Sequence, residues 1–429
     1  MKKKGQWIGI LTVGMALATG HAIRGQFGHE QGAAWAGAMG GLALILVANR
    51  KDWYKKMLLI VLSLAVGWGA GGMISYGMIA GSYSQSDNFT NVFYGLSMLF
   101  IIGGLYGLLG GGFLGLALDS TSEKRVKWGS LIAEMTAGGL ITYFFLVEQI
   151  GFRMTPPRGD AWAICLGAGL ALIWYMARNN HLSPLRLTYY ATLGGGFGFA
   201  FGTFFHLLMN WVGINFNTWN MAEYSIGFFG GIGIAYGVFS SKWPTASIEP
   251  KKWESISSML LIVVFIPLII FRQSFSLGMF MEKYESLANT QNLAILNTTS
   301  AAIITLLLII ASWFILVKSK FNFTKKEVLH LFLVYSISYA LLSYISTGLY
   351  IGTFLSNSNH HLYIVNIIVI ALLVRKEYPA FYRIPSDSIE TKRWVLTTIL
   401  TIFIIMILAI IAIKLHGETG PSYDRFPIN

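Results

Sequence analysis

The sequence is poor in cysteine and in charged residues. Cys165 is the one cysteine among 429 residues, and it lies inside an apolar run. A disulfide framework within the chain is therefore impossible, and a thiolate metal site is not expected. Charged residues make up 12% of the chain, about half the share found in a soluble domain. The sequence also lacks a P-loop and a Gly-x-Ser-x-Gly motif, so it does not indicate the nucleotide-binding or hydrolase mechanisms that depend on them.

Apolar residues are abundant instead. Hydrophobic residues make up 55% of the chain and aromatic residues 14%, and the mean hydropathy is +0.59. This composition predicts an all-α polytopic membrane protein whose first partner is the lipid bilayer. The 31 Lys and Arg residues outnumber the 19 Asp and Glu residues, but they lie in short clusters between apolar runs. We interpret the basic excess as membrane topology and expect no nucleic-acid partner.

Runs of about 17 to 25 apolar residues predict about 13 transmembrane helices. Their approximate cores are 7–24, 32–48, 57–80, 92–118, 128–150, 161–177, 187–211, 222–240, 255–271, 293–317, 328–350, 361–374 and 394–415. The first run has the basic head and apolar middle of a secretory signal. The run is preceded by lysines and begins with a tryptophan, and the same Lys-Trp pattern recurs at Lys127-Trp128 and Lys252-Trp253. Because the later copies open internal apolar runs, we expect the first run to be retained as a helix.

Basic loops alternate with loops that are poor in Lys and Arg. The basic loops lie at 49–56, 122–128, 177–186, 318–326 and 375–383. The positive-inside rule therefore predicts a multi-pass protein of a cell (inner) membrane, with its N-terminus inside and its C-terminus outside. In this topology the turns at 20–32 and 151–160 face outward.

Two stretches resemble each other at an offset of 127 residues. GAAWAGAMGGLALILVANR at 32–50 is similar to GDAWAICLGAGLALIWYMARN at 159–179. The similarity predicts tandem four-helix repeats, and because four is even, the copies are parallel. We predict four parts, namely a first Gly-rich four-helix repeat at 1–120, a second at 121–245, a degenerate Ile- and Leu-rich four-helix unit at 246–390, and a final helix with an outer tail at 391–429.

Glycine is concentrated in the two predicted repeats, since only five of the 47 glycines lie beyond residue 252. Two rows have four-residue spacing, namely Gly103, Gly107, Gly111 and Gly115, and then Gly194, Gly198 and Gly202. Such rows predict close helix packing in a membrane. The second row continues as His206 and Asn210. This polar pair either belongs to a functional site or satisfies neighbouring groups at the end of the helix.

The stretch GHAIRGQFGHEQG at 20–32 places a polar cluster between two apolar runs. His21 and Arg24 share a helical face, while His29 and Glu30 lie in the turn. Charged and histidine side chains beside apolar spans indicate a functional site, with Arg24 binding an anionic group and a histidine exchanging protons. The alternative is structural: Arg24 reaches the lipid headgroups and Glu30 complements the dipole of the next helix.

The matching turn of the second repeat carries Glu148 and Arg153. Arg153 lies near the position equivalent to Arg24, which suggests two halves of one anion-lined vestibule. The alternative is two arginines that reach the membrane interface independently. Glu134, about six residues into the fifth predicted helix, is either the inner partner of a proton path or a helix-packing carboxylate.

Two short patterns are partly similar to motifs of intramembrane proteases of the CAAX-processing type. EQIGFR at 148–153 resembles their Glu-Glu-x-x-x-Arg motif, and HLLMN at 206–210 resembles a His-x-x-x-Asn motif. The second glutamate of the first motif is Gln149 here, and the intermediate Phe-x-x-x-His motif is missing. The chain is therefore not assigned to that family.

Two functions are compatible with this sequence, and a third class, a structural or assembly protein, is also open. The first is a transporter or permease for a small polar or anionic solute, with proton coupling through histidine or glutamate. The second is a membrane-embedded enzyme that acts on a lipid or lipid-linked group at the outer leaflet by acyl transfer or hydrolysis. The predicted substrate-binding residues are Arg24, His29, Glu30, Arg153, His206 and Asn210. The catalytic candidates of an enzyme are His21, His29, Glu30, Glu148 and His206. No cofactor or metal is expected.

Overall fold

A computed structural model describes residues 2–154, 159–245, 250–287, 289–347, 349–354, 356–378 and 388–415, with the side chains of residues 2–4, 29 and 30 outside that description. Within these ranges the protein is built from helices and contains no β-strand. The helices are α1 (Lys2–Arg24), α2 (His29–Ala48), α3 (Lys51–Lys55), α4 (Met57–Gly71), α5 (Gly77–Gly81), α6 (Phe89–Asp119), α7 (Trp128–Tyr143), α8 (Ala161–Arg178), α9 (Leu182–Trp211), α10 (Thr218–Phe239), α11 (Lys252–Leu260), α12 (Ile266–Ser274), α13 (Leu277–Lys283), α14 (Thr290–Lys318), α15 (Lys325–Thr347), α16 (Ser358–Arg375) and α17 (Thr391–Leu415). Single π-helical turns follow α7 and α11.

The part of the chain that the structure describes has 11 helices long and apolar enough to cross a membrane. This agrees with an all-α, multi-pass membrane protein. Every one of the 13 segments expected from the sequence overlaps a helix, but two of these helices are not among the 11. The first is α4, which has only 15 residues. The second is α10, which carries Asn220, Glu223 and several glycines within its apolar run.

Six helices form a closed ring. In order around the ring, α1 packs on α2, α2 on α4, α4 on α6, α6 on α9, α9 on α10, and α10 returns to α1. The last contact joins elements about 200 residues apart in the chain. The ring therefore encloses side chains from α1, α4, α6, α9 and α10 in one interior.

A glycine lies at each of the six contacts of this ring. A methyl group added at any of these glycines would come within 3.0 Å of the backbone of the neighbouring helix. The glycines are Gly20 (α1 and α2), Gly37 (α2 and α4), Gly67 (α4 and α6), Gly107 (α6 and α9), Gly194 (α9 and α10) and Gly227 (α10 and α1). Both glycine rows identified in the sequence are packing surfaces, which confirms that prediction. Because lipid gives helices no hydrophobic reason to associate, this close van der Waals contact holds the ring together.

The remaining helices surround the ring. The α7 and α8 hairpin packs on α6, while α12, α15 and α16 cover α1 and α2, and α17 lies against α6 and α9. In its most apolar window α2 is 89% buried, whereas α7 and α17 are each 22% buried. Most of the surface of α7 and α17 therefore faces outward, as expected for helices in contact with lipid.

The third helix of the ring is broken. At 1.5 Å per residue α4 is about 22 Å long, which is less than the roughly 30 Å of a hydrocarbon core. Residues 72–88 follow, with the short α5 and a 3-10 turn, before α6 begins. This connection packs along α6, since a Cβ at Gly95 would lie 2.6 Å from Ser84 Oγ. Short helical turns therefore lie beside the first half of a 31-residue helix.

Candidate functional site

Three ionisable side chains meet inside the ring. His21 and Arg24 come from the last turn of α1, and Glu223 comes from α10. Their exposed fractions are 0%, 4% and 8%. Such burial is costly for charged groups unless they are paired, so their mutual contacts decide what the site can do. We refer to His21, Arg24, Glu223 and the two tyrosines that bind them, Tyr76 and Tyr106, as the charge cluster.

Arg24 is the centre of the charge cluster. Its Nη1 lies 3.4 Å from Glu223 Oε2 and donates a 2.5 Å hydrogen bond to the Tyr76 hydroxyl. Its Nη2 donates to the Tyr106 hydroxyl at 3.3 Å. The Tyr76 hydroxyl in turn donates to Glu223 Oε1. The guanidinium and the carboxylate thus neutralise each other, and Tyr76 bridges them.

His21 is held between Trp68 and Glu223. The indole Nε1 of Trp68 donates to His21 Nδ1 at 3.3 Å. Because an indole N–H can only donate, Nδ1 is the unprotonated nitrogen, and the ring proton of this neutral histidine is on Nε2. That nitrogen lies 3.2 Å from Glu223 Oε2, which places the imidazole ring within pairing distance of the carboxylate.

Aromatic rings surround the charge cluster. His21 packs edge-on against Trp68, Tyr106 and Phe199, with ring centroids 5.9 to 6.2 Å apart. Trp68, Tyr106 and Phe199 are fully buried. They separate the charges from the rest of the ring interior, which is apolar and packed through glycines. On another side the charge cluster meets a cavity, near the end of α1.

A cavity of about 380 Å³ adjoins the charge cluster on this side. Its lining residues are Arg24, Gly25, Gly72, Met73, Ile74, Ser75, Tyr76, Gly77, Trp219 and Glu223. The break after α4 supplies six of these ten residues. The cavity therefore gives a small solute access to Arg24 and Glu223 through a wall that is largely non-helical backbone.

Local sequence explains how α1 and α10 place these groups. The side chain of Asn217 accepts a hydrogen bond from Asn220 N and so fixes the start of α10. Glu223 then falls in the second turn of α10 and points toward His21 and Arg24 of the neighbouring α1. Gly25 allows the approach, since a Cβ there would lie 2.8 Å from Glu223 Cγ.

His206 and Asn210 lie beside this cavity but are turned toward each other. Asn210 Nδ2 lies 3.2 Å from His206 Nε2, and the Thr218 hydroxyl donates to Asn210 Oδ1 at 2.8 Å. The ring of His206 stacks on Trp219 at 4.4 Å, and Trp219 lines the cavity. The pair thus ties the end of α9 to the start of α10, and it supports one wall of the cavity through Trp219.

The other predicted residues are not part of the charge cluster as described. Glu148 lies in the π-helical turn after α7 and Arg153 in the following loop, and both side chains are exposed. The backbone of His29 and Glu30 begins α2, but their side chains lie outside the described part of the structure. Glu134 pairs with Arg178 at 2.7 Å on the outer surface of the α7 and α8 hairpin.

Glu223, Tyr76, Tyr106 and Trp68 are absent from the site predicted from the sequence. Charge balance is the signal that points to Glu223, because a buried arginine requires an acidic partner. Glu223 lies within a glycine-rich apolar run, as Arg24 does. No comparable signal marks the three aromatic residues, which resemble the many other aromatic residues of an apolar chain.

Comparisons with known proteins give no further assignment, since the chain matches no protein-family model, no curated protein and no solved structure. Among the described residues, no group of three or more His, Cys, Asp and Glu side chains lies close enough together to hold a metal ion.

Proposed function

We propose that this protein is a membrane transporter for a small anionic solute, coupled to protons through Glu223. The observation that carries the proposal is the Arg24 and Glu223 pair, buried in a closed helical ring and facing a cavity. Ionisable groups that face the interior of a helical bundle mark solute and proton pathways in membrane proteins. The apolar ring interior beyond the aromatic wall corresponds to the closed side of such a pathway.

The short α4 and the segment that follows it support this proposal. Membrane proteins tolerate non-helical backbone at membrane depth where it lines a water-filled cavity, and transporter binding sites are typically formed by interrupted helices. Here residues 72–77 follow the short α4 and line the cavity next to Arg24. A polar solute that enters this cavity meets both backbone groups and the charge cluster.

Glu223 and the anion compete for Arg24, and this competition couples anion binding to proton uptake. In the described state the Glu223 carboxylate compensates the charge of Arg24. When Glu223 takes up a proton, that compensation is lost, and an anionic group from the cavity replaces it at the guanidinium. When the anion leaves, Glu223 releases its proton and restores the pair. One proton therefore moves with each negative charge bound, and Arg24 is never left uncompensated.

The topology of this proposal follows from the basic loops. With the N-terminus inside, the cavity opens outward and the aromatic wall of Trp68, Tyr106 and Phe199 closes the inner side. In the duplication proposed from the sequence, α4 and α9 are the equivalent third helices. Only the first copy is interrupted, so the two copies have different roles, with the second closing the ring through α9 and α10.

The test is transport by the purified chain in proteoliposomes that contain a pH-sensitive dye. A panel of formate, acetate, pyruvate, phosphate and sulfate is added outside, with and without an inward proton gradient. We expect at least one anion to enter together with protons and to be driven by the gradient. Arg24→Gln should lower its uptake about 10- to 100-fold, the loss expected for one charge-assisted hydrogen bond. Arg153→Gln, the exposed counterpart, should leave uptake unchanged.

A second variant tests the coupling of anion transport to protons. Glu223→Gln keeps the shape of the side chain but holds no exchangeable charge, so we expect anion exchange that no longer moves protons. The double variant Arg24→Gln/Glu223→Gln keeps the interior neutral and controls for misfolding. An absence of flux for every anion at every gradient would contradict the proposal. So would unchanged uptake by Arg24→Gln, or the appearance of a lipid product in detergent without any gradient, which would support the enzyme alternative.

A further inference from the structure

The contacts of Glu223 show which kind of chemical group the charge cluster binds. Its two carboxylate oxygens have different partners. Tyr76 donates to Oε1, while Arg24 Nη1 lies 3.4 Å and His21 Nε2 3.2 Å from Oε2. Arg24, His21 and Tyr76 therefore form a cradle for one planar carboxylate, which we call the carboxylate cradle. In this structure the chain's own carboxylate occupies it.

The next step rests on the proposed function, in which an anion from the cavity replaces Glu223 at Arg24. Protonation of Glu223 removes one negative charge from the carboxylate cradle, so a group with one negative charge restores neutrality. A carboxylate supplies this charge together with the two planar oxygens that the cradle already binds. Sulfate would bring a second negative charge for which this exchange supplies no counterpart, and an uncompensated buried charge is costly.

The cavity next to the carboxylate cradle has apolar side chains on its wall. Met73 and Trp219 line it, and their exposed fractions are 51% and 40%. Small-molecule sites are typically lined by such apolar and aromatic side chains, with a few polar groups that fix the orientation of the ligand. A carboxylate with an apolar substituent would remove this surface from water, whereas formate or sulfate has no apolar surface to place against it.

The indole ring of Trp219 is held by its neighbours. It stacks on the imidazole ring of His206, with the ring centroids 4.4 Å apart and the planes inclined by 29°. His206 is only 5% exposed, and its Nε2 lies 3.2 Å from Asn210 Nδ2. The indole is thus a fixed flat surface beside the cavity. A flat ring in the solute suits such a surface, because aromatic rings attract each other in stacked and edge-on arrangements.

We infer that the transported solute is a monocarboxylate with an apolar substituent, and that an aromatic substituent binds best. Its carboxylate pairs with Arg24 in the place of Glu223, and its substituent lies against Met73 and Trp219. The cavity of about 380 Å³ is at the lower end of the roughly 300 to 1,000 Å³ of small-molecule sites. This volume favours a substituent with a single ring over a larger group.

The test is isothermal titration calorimetry on the full chain in neutral detergent, at a pH at which the free acids are ionised. The ligands are phenylacetate, acetate as the acid without a ring, phenylacetamide as the neutral analogue, and sulfate. We expect phenylacetate to bind about 10- to 100-fold more tightly than acetate, the range for burying one large apolar group. Phenylacetamide and sulfate should bind more weakly than phenylacetate. Titrations in buffers of different ionisation enthalpy should show proton uptake with phenylacetate.

Two tryptophan variants test the position of the ring. Trp219→Ala should lower the ratio of phenylacetate affinity to acetate affinity about 3- to 10-fold, the loss expected for one aromatic contact. Trp211→Ala removes a tryptophan that is 62% exposed at the end of α9, and the ratio should stay as in the unmodified protein. The ratio is the readout because general damage to the fold lowers both affinities alike.

Equal affinities for phenylacetate and acetate, tighter binding of sulfate, or an unchanged ratio in Trp219→Ala would overturn this substrate class. The proteoliposome assay separates that failure from failure of the proposed function. Proton-coupled uptake of acetate without any preference for phenylacetate would keep the transporter and overturn the substrate class. Selective, Trp219-dependent binding of phenylacetate without flux of any anion would support the substrate class for the site and contradict transport.

Discussion

The turn after α1 and the turn before α8 place their arginines in opposite environments. Arg24 is buried in the ring and bonded to Glu223, Tyr76 and Tyr106, whereas Arg153 is exposed. Both arginines follow an apolar helix and precede a Gly-x-Ala-Trp or Asp-Ala-Trp start. The difference arises because α10 closes the ring against α1 and brings Glu223 to Arg24, whereas Arg153 lies in a loop on the surface. The similar positions that the sequence predicts for these two arginines therefore do not give them similar environments.

The first prediction concerns the buried pair of Arg24 and Glu223. Glu223→Ala should lower the free energy of unfolding by about 3 to 5 kcal/mol, because Arg24 is then buried without its counter-charge. Thermal denaturation in detergent measures the change. Arg24→Gln/Glu223→Gln should lose less than Glu223→Ala, and Arg153→Gln should change little. Equal effects of Arg24→Gln and Arg153→Gln would mean that the contrast between the two turns is not energetic.

The second prediction compares a glycine of the ring with one of the hairpin. Gly107→Ala should cost about 3 kcal/mol, because the new methyl group would collide with the Ala191 carbonyl and push α6 from α9. Gly129 in α7 has nothing within 4 Å of an added Cβ, so Gly129→Ala should have little effect or stabilise slightly. The measurement is the melting temperature of each variant relative to the unmodified protein. An unchanged melting temperature for Gly107→Ala would contradict close packing between α6 and α9.

The third prediction removes one hydroxyl from the charge cluster. Tyr76→Phe should cost about 2 kcal/mol, since it deprives both Arg24 and Glu223 of a hydrogen bond. Proton-coupled uptake should also slow, because Tyr76 lines the cavity. Tyr143→Phe is the control in the hairpin, where the hydroxyl contacts the exposed Glu148, and it should behave like the unmodified protein in both measurements.

The fourth and smallest effect contrasts neighbouring lysines at the other end of the ring. Burial lowers the pKa of Lys56 to about 8 from its usual 10.5, while its Nζ donates to the carbonyls of Ala117 and Leu118 at the end of α6. Between pH 8 and 10.5 the unfolded chain holds a proton that the folded chain has lost, so stability rises with pH. The gain should be about 1 kcal/mol from pH 8 to pH 9. Lys56→Met should flatten this rise in melting temperature, and Lys55→Gln, at an exposed lysine, should retain it.

The sequence predicted the helices well and their arrangement only in part. Hydropathy located every helix of the ring, because apolar runs and glycine rows are local features. The closure of α1 by α10 and the break after α4 depend on contacts between distant residues such as Gly227 and Ala18. The same limit applies to the site. Arg24 and His21 were identified from their own surroundings, whereas Glu223 became relevant only once α10 was placed beside α1.

The glycine contacts of the ring also determine how the molecule is able to move. Helices whose backbones touch along their length tilt or slide together, because separating them would open an empty gap. The six ring helices are therefore expected to behave as one rigid body. By contrast, an added Cβ at Gly77 or Gly81 would meet nothing within 4 Å, so both ends of α5 have free space beside them. We therefore expect the segment that contains α5 to move relative to the rigid ring and to control access to Arg24.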